Sequence, residues 1–416
     1  MRAMKEGALQ PGKNIRGHFP IYSKYTAEAP LAYLDTAASS QKPAAVIDRL
    51  RDYLSFEHAN IHRGAYKLSA KATEGYEHTR DLVAGFIGAG SSREIIFTRG
   101  TTEAINLVAY AFENYFKAGD VILLSLLEHH SNIVPWQLLA ERKQLSIEWI
   151  EIDSNGALSV EDAKQKLKTL KPKLLAITQV ANSLGSVVPI KELTAVAHEV
   201  GTVVLVDAAQ SVVHTPINVV DLDCDFLALS GHKLYGPTGV GVLYGKARWL
   251  ELMQPFQGGG DMIQSVTTRG STYAAIPQKF EAGTPAIAEV IALAEAIGFV
   301  EQVGRTRLQE HESALFNKTW EIMKSEPGVK LYGPANVGGA QASIISFNLE
   351  GVHPHDLSSV ADQFNVQFRG GHHCAMPTLH KLGLQSSARI SFGVYSDLED
   401  ILRLKEALRY ARKLFQ

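Results

Sequence analysis

Short apolar runs rich in β-branched residues recur between residues 94 and 245 of this 416-residue chain. Helix-like stretches separate them, such as the one starting at Thr101, where apolar residues recur every three or four positions. This alternation predicts an α/β fold with a mostly parallel sheet, in a large domain, covered by helices on both faces. The predicted strands, seven in number, are EIIF at 94, VILLS at 121, IEWIEI at 147, LLAIT at 174, VVLVD at 203, FLALS at 226 and GVLY at 241.

The pattern changes beyond about residue 290. Longer helices alternate there with the apolar runs SIISFNL at 343, VQFRGG at 366 and SARISFGV at 387, which is typical of a smaller α+β domain. We therefore predict three parts: an N-terminal segment (residues 1–30) that packs with the small domain, a large domain (residues 31–290) and a small C-terminal domain (residues 291–416).

Charge and cysteine content narrow the class of function. The formal net charge is -2 and the basic residues form no runs, so we expect neither a nucleic-acid nor an anionic-membrane partner, but a small-molecule substrate. The most apolar helical stretch, from Ala286, is interrupted by Glu289 and Glu295, and the N-terminus lacks the apolar stretch of a signal peptide. We expect a cytoplasmic protein. Cys224 and Cys374 lie far apart and are interpreted as free thiols.

The strand VVLVD ends in Asp207, and Gln210 follows three residues later. A carboxylate at the end of a buried strand is costly unless it meets a cation. Asp207 therefore predicts a protonated ring nitrogen of a ligand or a buried arginine, although a capping or salt-bridged aspartate fits equally well.

The next apolar strand leads directly into Ser230, His232 and Lys233, in FLALSGHKLYGPTG. A lysine in this position is partly desolvated, which lowers its pKa and makes the neutral amine available for a Schiff base. Most lysines are simply solvated. The presence of Asp207 at the end of the preceding strand favours the functional interpretation.

Two further segments hold ligand-binding candidates. TRGTTEAIN places Thr101 and Thr102 at a helix start, where backbone N–H groups, hydroxyls and the helix dipole suit a phosphate, though an ordinary helix cap has the same pattern. In LLEHHSNIVPW, His129 follows a strand and could cover a flat ligand, although such histidines are more often structural.

RGGHHCAMP sets Cys374 behind two histidines. A metal site is disfavoured because three consecutive residues cannot readily surround one tetrahedral ion. In addition, no C-x-x-C or H-x₃-H motif lies nearby to supply further ligands, so we expect no metal. A buried, inert cysteine fits Cys224 better than Cys374, which lies between glycines and a proline. From this loop alone, Cys374 could be a metal ligand, a catalytic nucleophile or a packing cysteine, and the role of the two histidines is left open.

A phosphate, a ring nitrogen that needs a carboxylate and a carbonyl that needs a lysine together describe pyridoxal phosphate. The chain resembles the cysteine desulfurases of pyridoxal phosphate fold type I, in the class-V aminotransferase family, and its short HHCAMP loop resembles the group II, SufS-type branch. The motifs that carry the resemblance are, in order, HFPIYSKY, YLDTAASSQKP, HRGAYKLS, RGTTEAIN, EHHSNIVPW, VDAAQ, SGHKLYGPTG, FEAGTP and RGGHHCAMP.

The resemblance implies how the cofactor is held. Lys233 would form the Schiff base, Asp207 would keep the ring nitrogen protonated, Gln210 would bond the ring's phenolic oxygen, and His129 would stack on the ring as a catalytic residue. Asn182 would lie near the substrate and the ring oxygen. The implied phosphate ligands are Thr101, Thr102, Ser230 and His232, with Thr284 contributed by the second subunit of a homodimer.

The resemblance also implies the substrate and the reaction. Arg389 would bind the carboxylate of L-cysteine, and its place in an apolar strand requires such a ligand or a buried acid. Arg369 would be a second active-site arginine, and His62 and Arg63 would lie near the site at the dimer interface. Cys374 would take the substrate sulfur as a persulfide, and L-alanine would leave.

Family membership further implies a sulfur acceptor of the SufE or SufU type and a role in iron–sulfur cluster assembly, and it leaves L-selenocysteine open as a substrate. One rival is another pyridoxal phosphate enzyme, such as an aminotransferase or a selenocysteine lyase, since only Cys374 argues for sulfur transfer. A non-enzymatic sulfur carrier or cluster scaffold is the second rival, but it would need clustered cysteines.

Overall fold

The structure, a computed structural model, describes residues 9–335 and 342–415. Residues 1–8 of the predicted N-terminal segment, and residues 336–341 and 416 of the predicted small domain, lie outside the described residues. Within these ranges, no helix is long and apolar enough to cross a membrane.

Most strands of the described chain coincide with apolar runs. They are β1 (Ala32–Tyr33), β2 (Ile95–Thr98), β3 (Val121–Ser125), β4 (Ser146–Ile150), β5 (Leu174–Thr178), β6 (Val203–Asp207), β7 (Phe226–Ser230), β8 (Gly241–Gly245), β9 (Ile263–Thr267), β10 (Gly270–Tyr273), β11 (Val329–Tyr332), β12 (Ile344–Leu349), β13 (Val366–Gln367), β14 (Arg369–Gly371) and β15 (Ser387–Ser391).

Helices separate most of these strands. They are α1 (Ala44–Asp52), α2 (Lys67–Ile87), α3 (Thr101–Ala111), α4 (Val134–Lys143), α5 (Val160–Leu170), α6 (Ile190–Glu199), α7 (Ser211–His214), α8 (Val219–Leu222), α9 (Ala247–Leu252), α10 (Ile287–Val303), α11 (Arg305–Lys324), α12 (Pro354–Asp362), α13 (Met376–Lys381) and α14 (Leu398–Phe415).

The large sheet has seven strands in the order β2-β8-β7-β6-β5-β3-β4. Neighbours from β4 to β7 are parallel, whereas β8 runs antiparallel to both β2 and β7. All seven predicted runs are strands of this sheet, so the prediction of a mostly parallel seven-stranded sheet is confirmed. The antiparallel strand was not part of that prediction.

Both faces of the large sheet are covered by helices, and its strands other than the edge strand β4 are buried at nearly every position. Leu123 packs in the core that includes residues of α2 and α10, while its neighbours Ile122 and Leu124 pack in the core that includes α3 and α4. The period-two alternation of side chains thus buries successive residues of one strand in two different cores.

The second sheet has four antiparallel strands in the order β11-β12-β15-β14 and shares a third core with α11, α12 and α14. β1, near the N-terminus, pairs with β13 and buries Ala32 in that core. Phe19 packs instead in the core of the α2 face, with its ring 5.0 Å from that of Tyr395. The smaller α+β unit is present; the domain boundaries stay a prediction.

Parallel pairing places the carboxyl ends of β5, β6 and β7 at one edge of the sheet. β6 ends at Asp207 and β7 at Ser230, which is followed by a 3-10 turn, Gly231–Lys233. Helix α3 begins at Thr101, beside the end of β7. Open parallel sheets bind ligands at this edge, so the fold itself collects the polar candidates there.

Candidate active site

A cavity of about 430 Å³ opens at the carboxyl edge of the large sheet. Its wall combines the ends of β5, β6 and β7 with the start of α3 and with the loop that carries Cys374. The sequence-predicted residues that line it are Thr101, Thr102, His129, Asn182, Asp207, Gln210, Ser230, His232, Lys233, Arg369, Cys374 and Arg389.

Asp207 is buried at this cavity and Lys233 is partly exposed to it, and within the described part of the chain neither side chain forms an ion pair. Asp207 Oδ1 accepts a hydrogen bond of 2.9 Å from the backbone N–H of Ala209. Burial raises the pKa of Asp207, and the Ala209 N–H and the charge of Lys233 offset this only in part. Burial lowers the pKa of Lys233 to about 8, so about a tenth of its amine is neutral at pH 7, far more than for an ordinary lysine.

The start of α3 and the end of β7 form a polar cradle. Thr101 N–H donates to Ser230 Oγ over 2.9 Å, and the two hydroxyls share a hydrogen bond of 2.8 Å. A Cβ at Gly241 would lie 2.4 Å from the Cα of Gly100, so only glycine allows β8 to approach this helix start. Hydroxyls and free N–H groups at a helix N-terminus suit an anion such as phosphate.

Two more cavity residues, Gln210 and His232, are anchored by the segment that precedes α1. Gln210 Nε2 donates to the Ala37 carbonyl over 2.8 Å, and His232 Nδ1 lies 3.3 Å from Ser39 Oγ. Burial, with smaller contributions from the charges of Lys233 and Lys42, lowers the pKa of His232 to about 4. His232 is therefore neutral at physiological pH.

His129 is held in one tautomer. Its Nδ1 accepts the backbone N–H of Ser131 over 3.0 Å, which leaves the proton of the neutral ring on Nε2. Burial, followed by the positive charge of Lys233, lowers the pKa of His129 to about 3. A neutral, flat ring of this kind can stack on an aromatic ligand without adding charge.

Arg389 and Arg369 lie side by side on β15 and β14 and share Asp35. Arg369 binds both carboxylate oxygens of Asp35 at 2.7–3.0 Å, and Arg389 Nη2 lies 3.5 Å from Asp35 Oδ1. Arg389 Nη1 also donates to the Asn182 carbonyl over 2.8 Å. Burial lowers the pKa of Arg389 to about 10, which still leaves a cation facing the cavity.

The Cys374 loop has strained backbone. His373 and Cys374 both adopt positive φ, 52° and 53°, a region that residues with a Cβ seldom occupy. Asn182 Nδ2 donates to the His373 carbonyl over 2.6 Å, and His373 Nε2 donates to the Ser387 carbonyl over 2.9 Å. Burial lowers the pKa of His373 to about 3, so this ring acts as a neutral anchor of the loop.

The two cysteines have different surroundings, as the sequence predicts. Cys374 is partly exposed at the cavity, whereas Cys224 is buried in the core of the α2 face. Burial raises the pKa of Cys224 to about 12, so this thiol stays protonated and inert.

Three sequence-predicted residues lie outside the cavity. His62 contacts Glu77 over 2.9 Å, and Arg63 Nε lies 3.0 Å from Asp261 Oδ1. Thr284 lines a separate depression with Glu281, next to residues of α3 and α10. A single chain therefore does not bring these residues to the other cofactor candidates, and the roles predicted for them stay predictions.

Three residues that the sequence analysis did not single out contribute to the site. Asp35 pairs with both arginines, and Lys42 donates to the His232 carbonyl over 2.9 Å. Glu128 is fully buried beneath His129, where it accepts the Thr178 N–H over 3.0 Å. The available signal for Asp35 was YLD, a short apolar run ending in an aspartate, as in VVLVD.

Comparisons with known proteins agree with this arrangement. A family model for Aminotransferase class-V matches residues 32–404. A cysteine desulfurase of Pectobacterium carotovorum subsp. carotovorum (strain PC1) is 44% identical over 406 residues, which cover 97% of this chain and 98% of that protein. A probable cysteine desulfurase of Staphylococcus epidermidis (strain ATCC 12228 / FDA PCI 1200) is 44% identical over 404 residues, which cover 97% of each chain.

Solved structures give the same result. The apo structure of a cysteine desulfurase from Thermococcus onnurineus NA1 superposes with a TM-score of 0.92 at 38% identity, covering 99% of this chain and 100% of that one. The Escherichia coli cysteine desulfurase CsdA, in an S-sulfonic acid form, gives 0.89 at 34% identity, covering 97% and 98%. The family predicted from the motifs is thus confirmed: the chain belongs to the cysteine desulfurases of the class-V aminotransferase family, which are pyridoxal phosphate enzymes.

Proposed function

We propose that this enzyme converts L-cysteine to L-alanine and takes the sulfur onto Cys374 as a persulfide. The observation that carries the proposal is the meeting of Lys233, Asp207, Arg389 and Cys374 in one cavity. They supply an amine with a lowered pKa, an incompletely bonded carboxylate, a buried cation and an accessible thiol.

The residues present fit pyridoxal phosphate. Asp207 accepts a hydrogen bond from the Ala209 N–H, and its buried carboxylate is stabilised by a cationic partner. A protonated ring nitrogen is such a partner. Among the described residues, the buried Asn182 Oδ1 has no hydrogen-bond partner and lines the same cavity. When bound, the cofactor supplies an electron-withdrawing ring that stabilises negative charge at the substrate α-carbon.

The residues that line the cavity support the remaining cofactor contacts that we propose. Gln210 has a second amide N–H for the ring's phenolic oxygen, and the neutral ring of His129 covers one face. The phosphate ligands that we assign are Thr101, Thr102, Ser230 and His232, with Thr284 from a second subunit.

Lys233 moves the proton at the substrate α-carbon. With its pKa lowered to about 8, the neutral Nζ can accept that proton, and the neutral fraction rises as the pH rises through this value. Asp207 meanwhile holds a proton on the ring nitrogen. These are two titratable groups with separate tasks in one cavity.

Arg389 binds the substrate carboxylate. Its guanidinium is buried at 2% exposure, and among the described residues its Nε has no hydrogen-bond partner. Asp35 holds Arg369 through two nitrogens and Arg389 through a longer contact, so it fixes both side chains without neutralising the pair. One net positive charge then remains for one carboxylate.

Cys374 receives the sulfur. Its thiolate forms a bond to the substrate sulfur, and the carbon–sulfur bond breaks. The electron pair of the broken bond stays on the carbon skeleton, which leaves as L-alanine after protonation. Cys374 lies on a loop between β14 and α13, so the persulfide can be carried toward an acceptor at the surface.

The finer assignments belong to the same proposal. The short HHCAMP loop supports the SufS type, and with it a homodimer in the cytoplasm, an acceptor protein of the SufE or SufU type and a role in iron–sulfur cluster assembly. L-selenocysteine remains a candidate second substrate because the same groups would bind it.

The proposal is tested with purified holoenzyme, L-cysteine and a reductant, by quantifying alanine and sulfide. We expect equimolar products from the parent and a loss of about 10³-fold in Cys374→Ala, because a positioned nucleophile is removed. Cys224→Ala is the matched control, and it should retain activity because this thiol is buried away from the cavity. A keto acid in place of alanine, or full activity in Cys374→Ala, would contradict the proposal.

A further inference from the structure

His130 contacts the Cys374 loop on both sides of the thiol. Its backbone N–H donates to the Cys374 carbonyl over 2.8 Å, and its ring Nε2 accepts the backbone N–H of Met376 over 3.2 Å. The ring also stacks on His372, with centroids 5.7 Å apart and an interplanar angle of 28°. The side chain and the backbone of His130 thus contact residues 372, 374 and 376.

These contacts stabilise a backbone conformation that is unfavourable by itself. His373 and Cys374 lie in the left-handed region, and such a conformation persists only where the surroundings impose it. His373 is anchored by Asn182 and Ser387 on its buried side. On the other side, the contacts to Cys374 and Met376 come from His130.

His130 also ties the thiol to the cofactor side of the cavity. It follows His129 directly, and His129 lines the cavity in a fixed tautomer. A shift of the His130 ring would therefore move Cys374 relative to His129 and to the cofactor ring that we propose His129 covers. A displacement of about 1 Å in a reacting group can cost about 10²-fold in rate.

The contact to Met376 depends on the charge of the ring. Nε2 can accept an N–H only when it carries no proton. The titratable groups around the ring are His372 and Cys374 on the loop and His129 on its own segment. Burial, and then the charge of His372, lowers the pKa of His130, which keeps the ring neutral and the contact intact at neutral pH.

We propose that His130 is a positioning residue for sulfur transfer: its neutral ring holds the Cys374 loop at the cavity, and protonation of Nε2 releases it. The inference rests on the proposed function, because it concerns the step in which Cys374 attacks the substrate sulfur. Substrate binding by Arg389 and proton removal by Lys233 do not involve His130.

The test compares the parent holoenzyme with His130→Ala and His130→Gln, using His380→Ala, an exposed histidine of α13, as control. We expect His130→Ala to lose about 10²-fold in kcat for alanine formation, with KM for L-cysteine and the visible absorbance of the bound cofactor nearly unchanged. Iodoacetamide should alkylate Cys374 faster in this variant. His130→Gln should recover most of the rate, because its amide oxygen can accept the Met376 N–H.

The pH profile separates this role from simple packing. As the pH falls below 6.5, the ordinary value for histidine, the parent should lose kcat through a step that is missing in His130→Gln, since an amide oxygen does not titrate there. All other ionisable groups are common to the two proteins, so the difference isolates the ring.

Distinct outcomes overturn distinct claims. A His130→Ala enzyme within twofold of the parent, a His130→Gln enzyme as slow as His130→Ala, or identical acid limbs in parent and His130→Gln would each refute the role of His130. If the parent itself forms no alanine from L-cysteine, the proposed function fails instead.

Discussion

Asp207 and Asp225 are buried carboxyl groups at opposite ends of the strands of the same sheet, and they differ in their hydrogen bonding and in the direction of their pKa shifts. Asp225 precedes β7, and burial alone would raise its pKa, but hydrogen bonds hold this pKa well below its usual range. Its donors are His198 Nε2 at 2.9 Å, Trp249 Nε1 at 2.7 Å, Val204 N–H at 3.0 Å and Arg248 Nη2 at 2.8 Å.

Asp207 ends β6 at the other edge and accepts the Ala209 N–H, while burial raises its pKa. Both groups are almost completely buried, so burial alone does not separate a structural carboxylate from a functional one. The difference lies in how many donors the protein supplies. A buried carboxylate left incompletely bonded keeps its capacity for a ligand, and this is the physical reason for proposing a functional role for Asp207.

The largest expected effect comes from replacing Lys233, near Asp207, and it is compared with the replacement of Lys246, near Asp225. Lys233→Ala should lower alanine formation by about 10³-fold or more, because the base at the substrate α-carbon is lost, and should abolish the visible absorbance of the Schiff base. Lys246→Ala, which removes a partner of Asp223 and Asp225, should leave both readouts intact. Equal losses in the two variants would show that the two ends are not functionally distinct.

Replacing each aspartate should separate activity from stability. Asp207→Asn should lower alanine formation by about 10²-fold through a weaker hold on the ring proton, while the apo form unfolds with no smaller free energy. Asp225→Asn should keep its rate and lose about 3 kcal/mol in the free energy of unfolding, because buried donors lose a charged acceptor. Activity assays of the two holoenzymes and urea unfolding of the two apo proteins measure these effects. A slow Asp225→Asn enzyme of unchanged stability, or a fast Asp207→Asn enzyme of lowered stability, would contradict the comparison.

The sequence predicts one of these carboxylates better than the other. VVLVD ends in Asp207 at the carboxyl end of a strand, the edge where parallel sheets bind ligands, so the role that we propose for it follows from pattern and position. Asp225 precedes the run FLALS, and nothing local shows that His198 and Trp249 will converge on it. All seven strands of the large sheet were likewise predictable from apolar runs, whereas the antiparallel direction of β8 was not.

The arginine partner shows the same limit at the site itself. The apolar strand around Arg389 predicts a ligand or a buried acid, but it does not identify Asp35, which lies 354 positions away. The pairing of β1 with β13 and the bridge between Asp35 and Ser391 bring the two together. Local patterns thus identify the residue that needs a partner, and only the tertiary fold supplies the partner.

The smallest effect concerns His198, whose hydrogen bonds to Asp225 and Asp223 raise its pKa above 6.5. A raised folded-state pKa means that the protonated ring stabilises the fold fully below about pH 6.5, and that this contribution is lost as the pH rises through the folded-state value. The apo parent should therefore exceed His198→Gln in unfolding free energy at pH 6, by less than about 1 kcal/mol because the ring is partly exposed, and the gap should close toward pH 9. His380→Gln serves as control and should show no such trend. A gap that stays constant between pH 6 and pH 9, or that widens as the pH rises, would mean that the charge of the His198 ring does not stabilise this end of the sheet.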